Sequence, residues 1–395
     1  MDNPILTRAE LEARRGAKWA YFGPDHLPSW VADMDFRAPE AVTEALARLV
    51  AESDFGYAIR GGTLLGPALG RAFAARMRDR FGWEVDPARV LACTDLVQGV
   101  FDTVQAFSAP GDEVVVQGPT YDPFREGIED SGRVMVVDHM RYADRGWSVD
   151  LDGLRAALRD SPLLLFCHPH NPTGRAFTRD ELLAIGEIAI EQDAVIASDE
   201  IWADFMLDSA QHIPFASVSP EIAERTVTMY SAGKSFGLAG LRCAVLHFGS
   251  AALQERFHAT FPPRMLGGAN IMGVEATTVA WESGHAWFEQ VLDIIRTNRS
   301  RMEAFLEQYG DRLDAAYPTS TYLYWVDCGR LGLEEPPAEF FKREGGVVFT
   351  PGAEFGAAYA PFVRVNLATS PEIFDQILAQ AAKALDNLSA AGPHG

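Results

Sequence analysis

Lys234 has the sequence surroundings that amine chemistry requires. It stands in residues 231–242, a run rich in alanine, glycine and serine, directly after the apolar stretch 227–230. Small neighbours let a bulky group approach the backbone. A lysine enclosed in this way can have a lowered pKa, and its neutral amine can form a Schiff base. Taken alone, the stretch also fits a surface lysine in a turn.

Two polar residues upstream extend this candidate site. Asn171 opens the sequence Asn-Pro-Thr-Gly, and Asp199 follows the apolar stretch 194–198. The intervals are 28 residues from Asn171 to Asp199 and 35 residues from Asp199 to Lys234. Taken singly, Asn171 indicates a turn and Asp199 indicates a helix cap at a strand end.

The order and spacing of Asn171, Asp199 and Lys234 resemble those of fold-type I pyridoxal phosphate (PLP) enzymes of the class I/II aminotransferase superfamily. The resemblance implies that Lys234 binds PLP covalently and is the catalytic residue. It also implies that Asp199 keeps the pyridine nitrogen of the cofactor protonated, while Asn171 donates a hydrogen bond to the 3-oxygen of the ring.

The same cofactor needs further contacts. Tyr121 is the candidate for an aromatic face over the ring, with a core tyrosine as the alternative. A phosphate needs backbone N–H groups at a helix start together with hydroxyl or cationic side chains. The candidates for that site are Leu96, Val97, Ser231 and Arg242.

Arg364 is the candidate for binding the substrate α-carboxylate. It lies in the strand-like stretch 362–366, where an unpaired charge would be costly. A structural salt bridge is the alternative role for this arginine. Tyr121, Asn171 and Trp202 are also expected to contact the substrate, and Trp202 is expected to contact the cofactor as well.

The elements that must position these residues alternate between strands and helices. Apolar strand-like stretches lie at 90–93, 113–117, 134–137, 163–167, 194–198, 226–230 and 243–248. Helical patterns lie between several of them, which predicts an α/β fold with a mostly parallel sheet covered on both faces. Ligands bind beyond the carboxyl ends of such strands, where Asn171, Asp199 and Lys234 fall.

The resemblance implies a fold-type I PLP-dependent transferase, with a large domain around a seven-stranded sheet and a smaller α+β domain. The predicted division has an N-terminal segment, 1–45, that packs with the small domain. The large PLP-binding domain covers 46–284. The small domain covers 285–395, where a long helix at 285–308 precedes strands at 321–327, 346–349 and 362–367 and a final helix at 371–388.

Further stretches resemble the MalY/PatB branch of the superfamily, the cystathionine β-lyase-like C–S lyases. They are residues 30–36, 55–57, 81–87, 118–124, 168–175, 198–201 and 322–328. This resemblance implies cleavage of an S-substituted cysteine into a thiol, pyruvate and ammonia. It also implies a homodimer with active sites at the interface, in which Tyr57 reaches the phosphate site of the neighbouring subunit.

Several residues depart from the usual pattern of that branch. The branch commonly has glycine in place of Asp95, serine in place of Gly233 and asparagine in place of Gly237. It commonly has a neutral polar residue in place of Arg242, and an arginine at that position is more typical of aminotransferases. The Asp95 carboxylate could repel the phosphate, or it could cap the helix and point away. These departures keep transamination open as an alternative reaction, as well as loss of the α-carboxylate with or without oxidation.

Trp202 stands where the branch commonly has histidine. Indole donates a single N–H and adds a large apolar face. This change predicts a pocket for an S-conjugate bulkier than cystathionine, such as a specialised natural-product conjugate. Packing of Trp202 into the core is the alternative.

The composition limits the other classes of function. A formal net charge of −21 over 395 residues disfavours nucleic acid and anionic membranes as partners. The four cysteines have no metal-ligand spacing, and no signal pattern or membrane-length apolar run is present. We therefore expect a cytoplasmic enzyme acting on a small amino acid, without a metal. Residues 61–66 lack the glycine spacing of a dinucleotide-binding loop, and no carboxylate–histidine pattern follows His168 and His170.

Overall fold

Seven strands form the sheet around which the chain folds. The computed structural model describes residues 3–60 and 63–390. The strands are β1 (Val90–Cys93), β2 (Glu113–Gly118), β3 (Val134–His139), β4 (Leu163–Cys167), β5 (Val195–Asp199), β6 (Thr226–Tyr230) and β7 (Ala244–Phe248). They lie in the order β1-β7-β6-β5-β4-β2-β3. β7 is antiparallel to both of its neighbours, β6 and β1, and the other four adjacent pairs are parallel, so the predicted mostly parallel sheet is confirmed.

Alternate side chains of β4 enter two different apolar clusters. Leu165 belongs to one cluster with the helix Leu96–Phe107, and Phe166 belongs to the other with the helix Arg179–Glu191. Successive side chains of a strand point to opposite faces, so both faces of the sheet are covered. A parallel strand buried on both faces needs apolar residues at every position, which explains the continuous apolar run of β4.

Helices fill the intervals between the strands and build the rest of the chain. They span Arg8–Glu12, Ala17–Ala20, Glu40–Ala51, Leu65–Phe81, Leu96–Phe107, Asp122–Glu129, Leu151–Ala157, Arg179–Glu191, Pro220–Ala223, Ala232–Ser235, Ala251–Thr260, Pro263–Leu266, Ile271–Ser283, His285–Gln308, Pro337–Gly345 and Pro371–Ala390. Within the part of the chain that the structure describes, none of these helices combines the length and apolar character needed to cross a bilayer.

A three-stranded antiparallel sheet follows the helix His285–Gln308. Its strands are β8 (Leu323–Asp327), β9 (Thr350–Pro351) and β10 (Phe362–Asn366), in the order β8-β10-β9. The last two long helices of the chain accompany this sheet, and the helix Pro371–Ala390 packs on Pro337–Gly345. The C-terminal part therefore has the predicted mixture of helices and strands.

The N-terminal segment contacts this C-terminal part through its backbone. Leu27–Pro28 pairs in parallel with Val347–Val348, and the Asn366 N–H donates to the Ser29 carbonyl at 3.0 Å. The other paired short strands are Ile59–Arg60 with Thr63–Leu64, and Arg141–Ala143 with Gly146–Ser148. The three-part domain division stays a prediction, and its outermost residues lie outside the described ones, as do Gly61 and Gly62.

The strand order brings the candidate residues together. β4, β5 and β6 are adjacent and parallel, so their carboxyl ends share one edge of the sheet. Asp199 is the last residue of β5, one position later than the predicted strand end. The turn that contains Asn171 follows β4, and the turn that contains Lys234 follows β6. The fold thus places all three residues at one edge.

Candidate active site

A cavity of about 210 Å³ lies at this edge of the sheet. Asn171, Asp199 and Lys234 all line it. Other predicted site residues that line it are Leu96, Val97, Tyr121, Trp202, Ser231 and Arg242. The tertiary structure therefore gathers most of the predicted site around one enclosed space.

Lys234 lies in the short helix Ala232–Ser235, at whose N-terminus the Ser231 hydroxyl accepts a hydrogen bond from the Gly233 N–H at 3.0 Å. The Lys234 ammonium donates to the Ala32 carbonyl at 2.7 Å, and its Nζ lies 5.8 Å from the ring centroid of Trp202. Burial lowers the pKa of Lys234 from 10.5 to about 8, although the carboxylates of Asp33 and Asp199 act in the opposite direction. The amine is therefore partly neutral near physiological pH.

Asp199 is a buried carboxylate at the end of β5. Its Oδ1 accepts a hydrogen bond from the Ile201 N–H at 3.1 Å. Burial raises its pKa to about 6. In residues 3–60 and 63–390, no lysine, arginine or histidine forms a salt bridge with it. A buried carboxylate is stabilised by a positive partner, so the site is suited to a cationic group.

Arg364 does not itself line the cavity, but it contacts Asn171, which does. Its Nη1 donates to the Asn171 side-chain oxygen at 3.1 Å, and its Nη2 donates to the Thr350 hydroxyl at 3.2 Å. The guanidinium carbon lies 4.9 Å from the ring centroid of Phe355. Burial lowers the pKa of Arg364 to about 10. Among the described residues no carboxylate forms a salt bridge with Arg364, and its Nε has no hydrogen-bond partner. The guanidinium therefore has unused capacity to bind an anion.

Asp95 caps the helix Leu96–Phe107 and lines the cavity. Its Oδ1 accepts a hydrogen bond from the Gln98 N–H at 2.8 Å, as predicted for a helix cap. Its Oδ2 lies 2.6 Å from Nη2 of Arg242. The Ser231 hydroxyl donates to the Cys243 carbonyl at 2.8 Å. A helix start, a hydroxyl and a guanidinium thus stand together, and this set of groups can bind a phosphate.

Trp202 both lines the cavity and packs in the interior. It is 2% exposed, and its ring meets Tyr322 edge to face at a centroid distance of 4.7 Å. Packing of Trp202 in the core is therefore observed together with its place in the cavity wall, and the pocket for a bulky S-conjugate stays a prediction. By contrast, Tyr57 does not line the cavity of its own chain and is 93% exposed.

The two glycine departures have local explanations. Gly237 has a φ of +67°, a conformation that glycine and asparagine adopt more readily than other residues. A Cβ atom at Gly233 would lie 3.2 Å from the Ser231 hydroxyl oxygen, so the missing side chain leaves that hydroxyl room.

The sequence around this cavity matches a known protein family. Residues 31–381 match the family model described as aminotransferase class I and II. The chain belongs to the class I and II aminotransferase family.

Proteins similar to this family member include two that are named as lyases. The chain is 35% identical to cystathionine beta-lyase PatB of Bacillus subtilis, covering 92% of this chain and 95% of that protein. It is 33% identical to cystathionine beta-lyase of Corynebacterium glutamicum, over 95% of this chain and 98% of that protein. The fold is also similar to the crystal structure of cystalysin from Treponema denticola, which contains PLP. The TM-score is 0.92 at 27% identity, and the match covers 98% of this chain and 100% of cystalysin. These findings confirm the resemblance to the MalY/PatB branch.

The residues of the cavity fit PLP. The cofactor carries an aldehyde, a basic ring nitrogen, a ring hydroxyl and a phosphate. Lys234 provides an amine of lowered pKa, Asp199 provides a buried carboxylate without a salt bridge to the described residues, and Asn171 provides an amide in the same cavity. No group of three or more histidine, cysteine, aspartate or glutamate side chains in the described residues is arranged to hold a metal ion.

The segment Trp30–Asp33 contributes backbone hydrogen-bond acceptors to the site, which the sequence did not predict. The Ala32 carbonyl accepts from Lys234 at 2.7 Å and from the Tyr322 hydroxyl at 3.0 Å. The Trp30 carbonyl accepts from the Thr350 hydroxyl at 2.7 Å. These acceptors are backbone atoms, which every residue type offers, so residue identity gives no signal for them.

Proposed function

We propose that this protein is a PLP-dependent C–S β-lyase that acts on an S-substituted cysteine. The substrate and one water would yield a thiol, pyruvate and ammonia. The observation that carries the proposal is the placement of Lys234, with its lowered pKa, in one cavity with Asp199 and Asn171. The sequence similarity to two cystathionine beta-lyases over more than nine-tenths of the chain supports the same reaction.

Lys234 would hold the cofactor and act as the general base. A base is most effective when its pKa lies near the working pH, and burial brings Lys234 to about 8. When bound, PLP supplies an electron sink for the negative charge that forms on the substrate α-carbon. Lys234 Nζ takes the α-proton, and the electron pair of the broken C–H bond forms a double bond to the β-carbon as the C–S bond breaks. The sulfur leaves as a thiolate.

Asp199 and Asn171 would hold the ring of the cofactor. A protonated pyridine nitrogen beside Asp199 would give this buried carboxylate a salt-bridge partner, which none of the described lysine, arginine or histidine side chains provides. Asn171 accepts from Arg364 through its side-chain oxygen, which leaves its amide N–H groups free to donate to the 3-oxygen. Tyr121 would cover one face of the ring.

Arg364 would bind the α-carboxylate of the substrate. Its guanidinium forms no salt bridge with a carboxylate in the described part of the chain, although the Glu354 carboxylate raises its pKa, and the planar fork of donors matches a carboxylate. Because Arg364 also donates to Asn171, one residue would position the substrate and a cofactor-binding side chain together.

The phosphate of the cofactor would bind at the start of the helix Leu96–Phe107. Backbone N–H groups at Leu96 and Val97, the Ser231 hydroxyl and Arg242 are the proposed contacts. We further propose a homodimer in which Tyr57 completes the phosphate site of the partner subunit. The near-complete exposure of this tyrosine supports that role, and sedimentation of an active enzyme as a monomer would contradict it. We also propose a cytoplasmic location, in keeping with the four buried free cysteines.

A product assay tests the reaction. The purified holoenzyme is incubated with cystathionine, S-methylcysteine and S-benzylcysteine, and thiol, pyruvate and ammonia are each quantified. Equal amounts of the three products from at least one substrate are expected. A keto acid that retains its thioether would instead indicate an aminotransferase, and an aldehyde or amine with carbon dioxide would indicate decarboxylation.

Transamination is the second candidate reaction. The family description and Arg242, a residue more typical of aminotransferases, favour it. It shares proton abstraction by Lys234 with β-elimination, and the two reactions differ in the next step. In transamination Lys234 would deliver the abstracted proton to a different carbon, the amino group would stay with the cofactor, and the released keto acid would keep its C–S bond.

A further inference from the structure

A buried carboxylate connects the two segments that carry the candidate catalytic groups. Asp204 is 2% exposed and lies in the segment that follows Asp199 and contains Trp202. Its Oδ2 accepts a hydrogen bond from the Ser235 hydroxyl at 2.6 Å and another from the Tyr230 hydroxyl at 2.7 Å. Asp204 therefore joins the segment after β5 to the turn after β6.

The two donors bracket Lys234 in the sequence. Tyr230 is the last residue of β6, and Ser235 directly follows Lys234. One carboxylate oxygen thus contacts the turn on both sides of Lys234. Both side chains are buried, with Tyr230 at 1% and Ser235 at 0% exposure, so water cannot readily replace either contact. Neither side chain is among the described residues that line the cavity.

Arg76 balances the charge of Asp204. Its Nη2 lies 2.6 Å from Oδ1 of Asp204, and its Nε donates to the Tyr230 hydroxyl at 3.1 Å. The guanidinium carbon also lies 5.5 Å from the ring centroid of Phe236, two residues after Lys234. Burial alone would raise the pKa of Asp204, but the guanidinium of Arg76 and the hydrogen bonds hold it below its ordinary value. The carboxylate is therefore ionised and accepts strong, charge-assisted hydrogen bonds.

We propose that Asp204 is a positioning residue that fixes the short helix Ala232–Ser235, which contains Lys234, relative to Asp199 and Trp202. This inference rests on the proposed function, because Lys234 has to meet both the cofactor and the α-proton. Asp199 lies on one of the two segments and Lys234 on the other, so their separation depends on the contacts between the segments. Small displacements of reacting groups strongly lower the reaction rate.

Ser235→Ala is the most selective test. It removes the hydroxyl next to Lys234 and leaves the Arg76–Asp204 ion pair intact. In the holoenzyme we expect kcat for cystathionine cleavage to fall about tenfold with KM nearly unchanged, because binding groups stay in place while the base is displaced. We also expect a shift in the pH at which the absorbance of lysine-bound PLP changes. Ser235→Thr, which restores a hydroxyl, should recover both quantities in large part.

Ser161→Ala is the matched control. Ser161 is 2% exposed and its hydroxyl lies 3.0 Å from the Leu163 carbonyl, to which it can donate, so its loss also removes a buried hydrogen bond. It precedes β4, at the end of the sheet opposite the cavity. The control should lower the melting temperature and leave the absorbance titration and kcat unchanged. The inference is overturned if Ser235→Ala behaves in the same way.

A charge-neutral pair of substitutions tests Asp204 itself. Asp204→Asn alone would leave Arg76 buried without its ion-pair partner, so it is combined with Arg76→Met. A folded double variant with reduced kcat and a shifted absorbance titration supports the inference, and one with parental values overturns it. A parent protein that neither carries PLP on Lys234 nor releases pyruvate would contradict the proposed function instead. The two failures are therefore distinguishable.

Discussion

The Asp95 carboxylate and the Arg242 guanidinium form an ion pair, with Oδ2 and Nη2 2.6 Å apart. Both residues depart from the usual pattern of the MalY/PatB branch, and the pairing shows that the two departures are connected. Asp95 still caps its helix through Oδ1, so one carboxylate serves the helix and the arginine together. The negative charge at Asp95 is thus neutralised beside the proposed phosphate site.

This pairing predicts non-additive effects on cofactor affinity. Arg242→Gln should weaken PLP binding at least about tenfold, because it removes a charged hydrogen-bond donor and leaves the Asp95 charge uncompensated. Asp95→Asn keeps the helix cap without the charge, so adding it to Arg242→Gln should restore part of the affinity. The dissociation constants are measured by equilibrium dialysis of the apoproteins. Strictly additive effects of the two substitutions would show that the residues act independently.

Lys234 is predicted to be the residue labelled by PLP. Borohydride reduction of the holoenzyme followed by peptide mapping should place the pyridoxyl group on Lys234. Lys234→Ala should bind PLP without a covalent bond and lose turnover, while Lys342→Ala, which alters a surface lysine, serves as the control. A label on any other lysine would contradict the assignment.

The pKa of Lys234 predicts how covalent capture of PLP depends on pH. Below about pH 8 the amine is mostly protonated and cannot attack an aldehyde, so the capture rate should rise with pH through about 8 and then level off. Stopped-flow absorbance of apoprotein mixed with PLP measures this rate. A midpoint near 10.5, the ordinary value for lysine, would mean that burial does not shift the amine.

Arg364→Lys is predicted to raise KM for the amino acid at least about tenfold, since lysine cannot reproduce the paired hydrogen bonds of a guanidinium. PLP affinity should change much less. Arg299→Lys provides the control, because Arg299 is a partly buried arginine that pairs with Asp208, whereas Arg364 donates to the cavity-lining Asn171. An unchanged KM in the Arg364 variant would remove this residue from the substrate site.

Trp202→His is predicted to change substrate ranking. Histidine has a smaller apolar face and offers a second polar ring atom, which suits the polar cystathionine better than an apolar benzyl group, so the ratio of kcat/KM for cystathionine to that for S-benzylcysteine should rise. Trp202→Phe, which keeps an apolar ring, should stay closer to the parent. If all three proteins rank the substrates alike, Trp202 contributes packing alone.

The sequence determined the sheet and the principal candidate residues. A parallel strand covered on both faces needs apolar side chains throughout, so runs such as β4 and β6 are visible without a structure. The chemical residues follow those runs directly, as Asp199 and Lys234 do. Helix caps are also local, since Asp95 accepts from an N–H only three residues away. Such features depend on neighbouring positions, which a sequence displays in order.

Tertiary structure alone decided which distant residues meet. Asp95 follows β1 and Arg242 precedes β7, and these strands became antiparallel neighbours with Cys93 opposite Ala244. That pairing, set by the packing of the whole sheet, brings the two charges into contact. The bond from Lys234 to the Ala32 carbonyl joins residues 202 positions apart through an acceptor that has no residue-specific signal. Asp95 meets Arg242, and Lys234 meets the Ala32 carbonyl, only because folding brings these distant parts of the chain together.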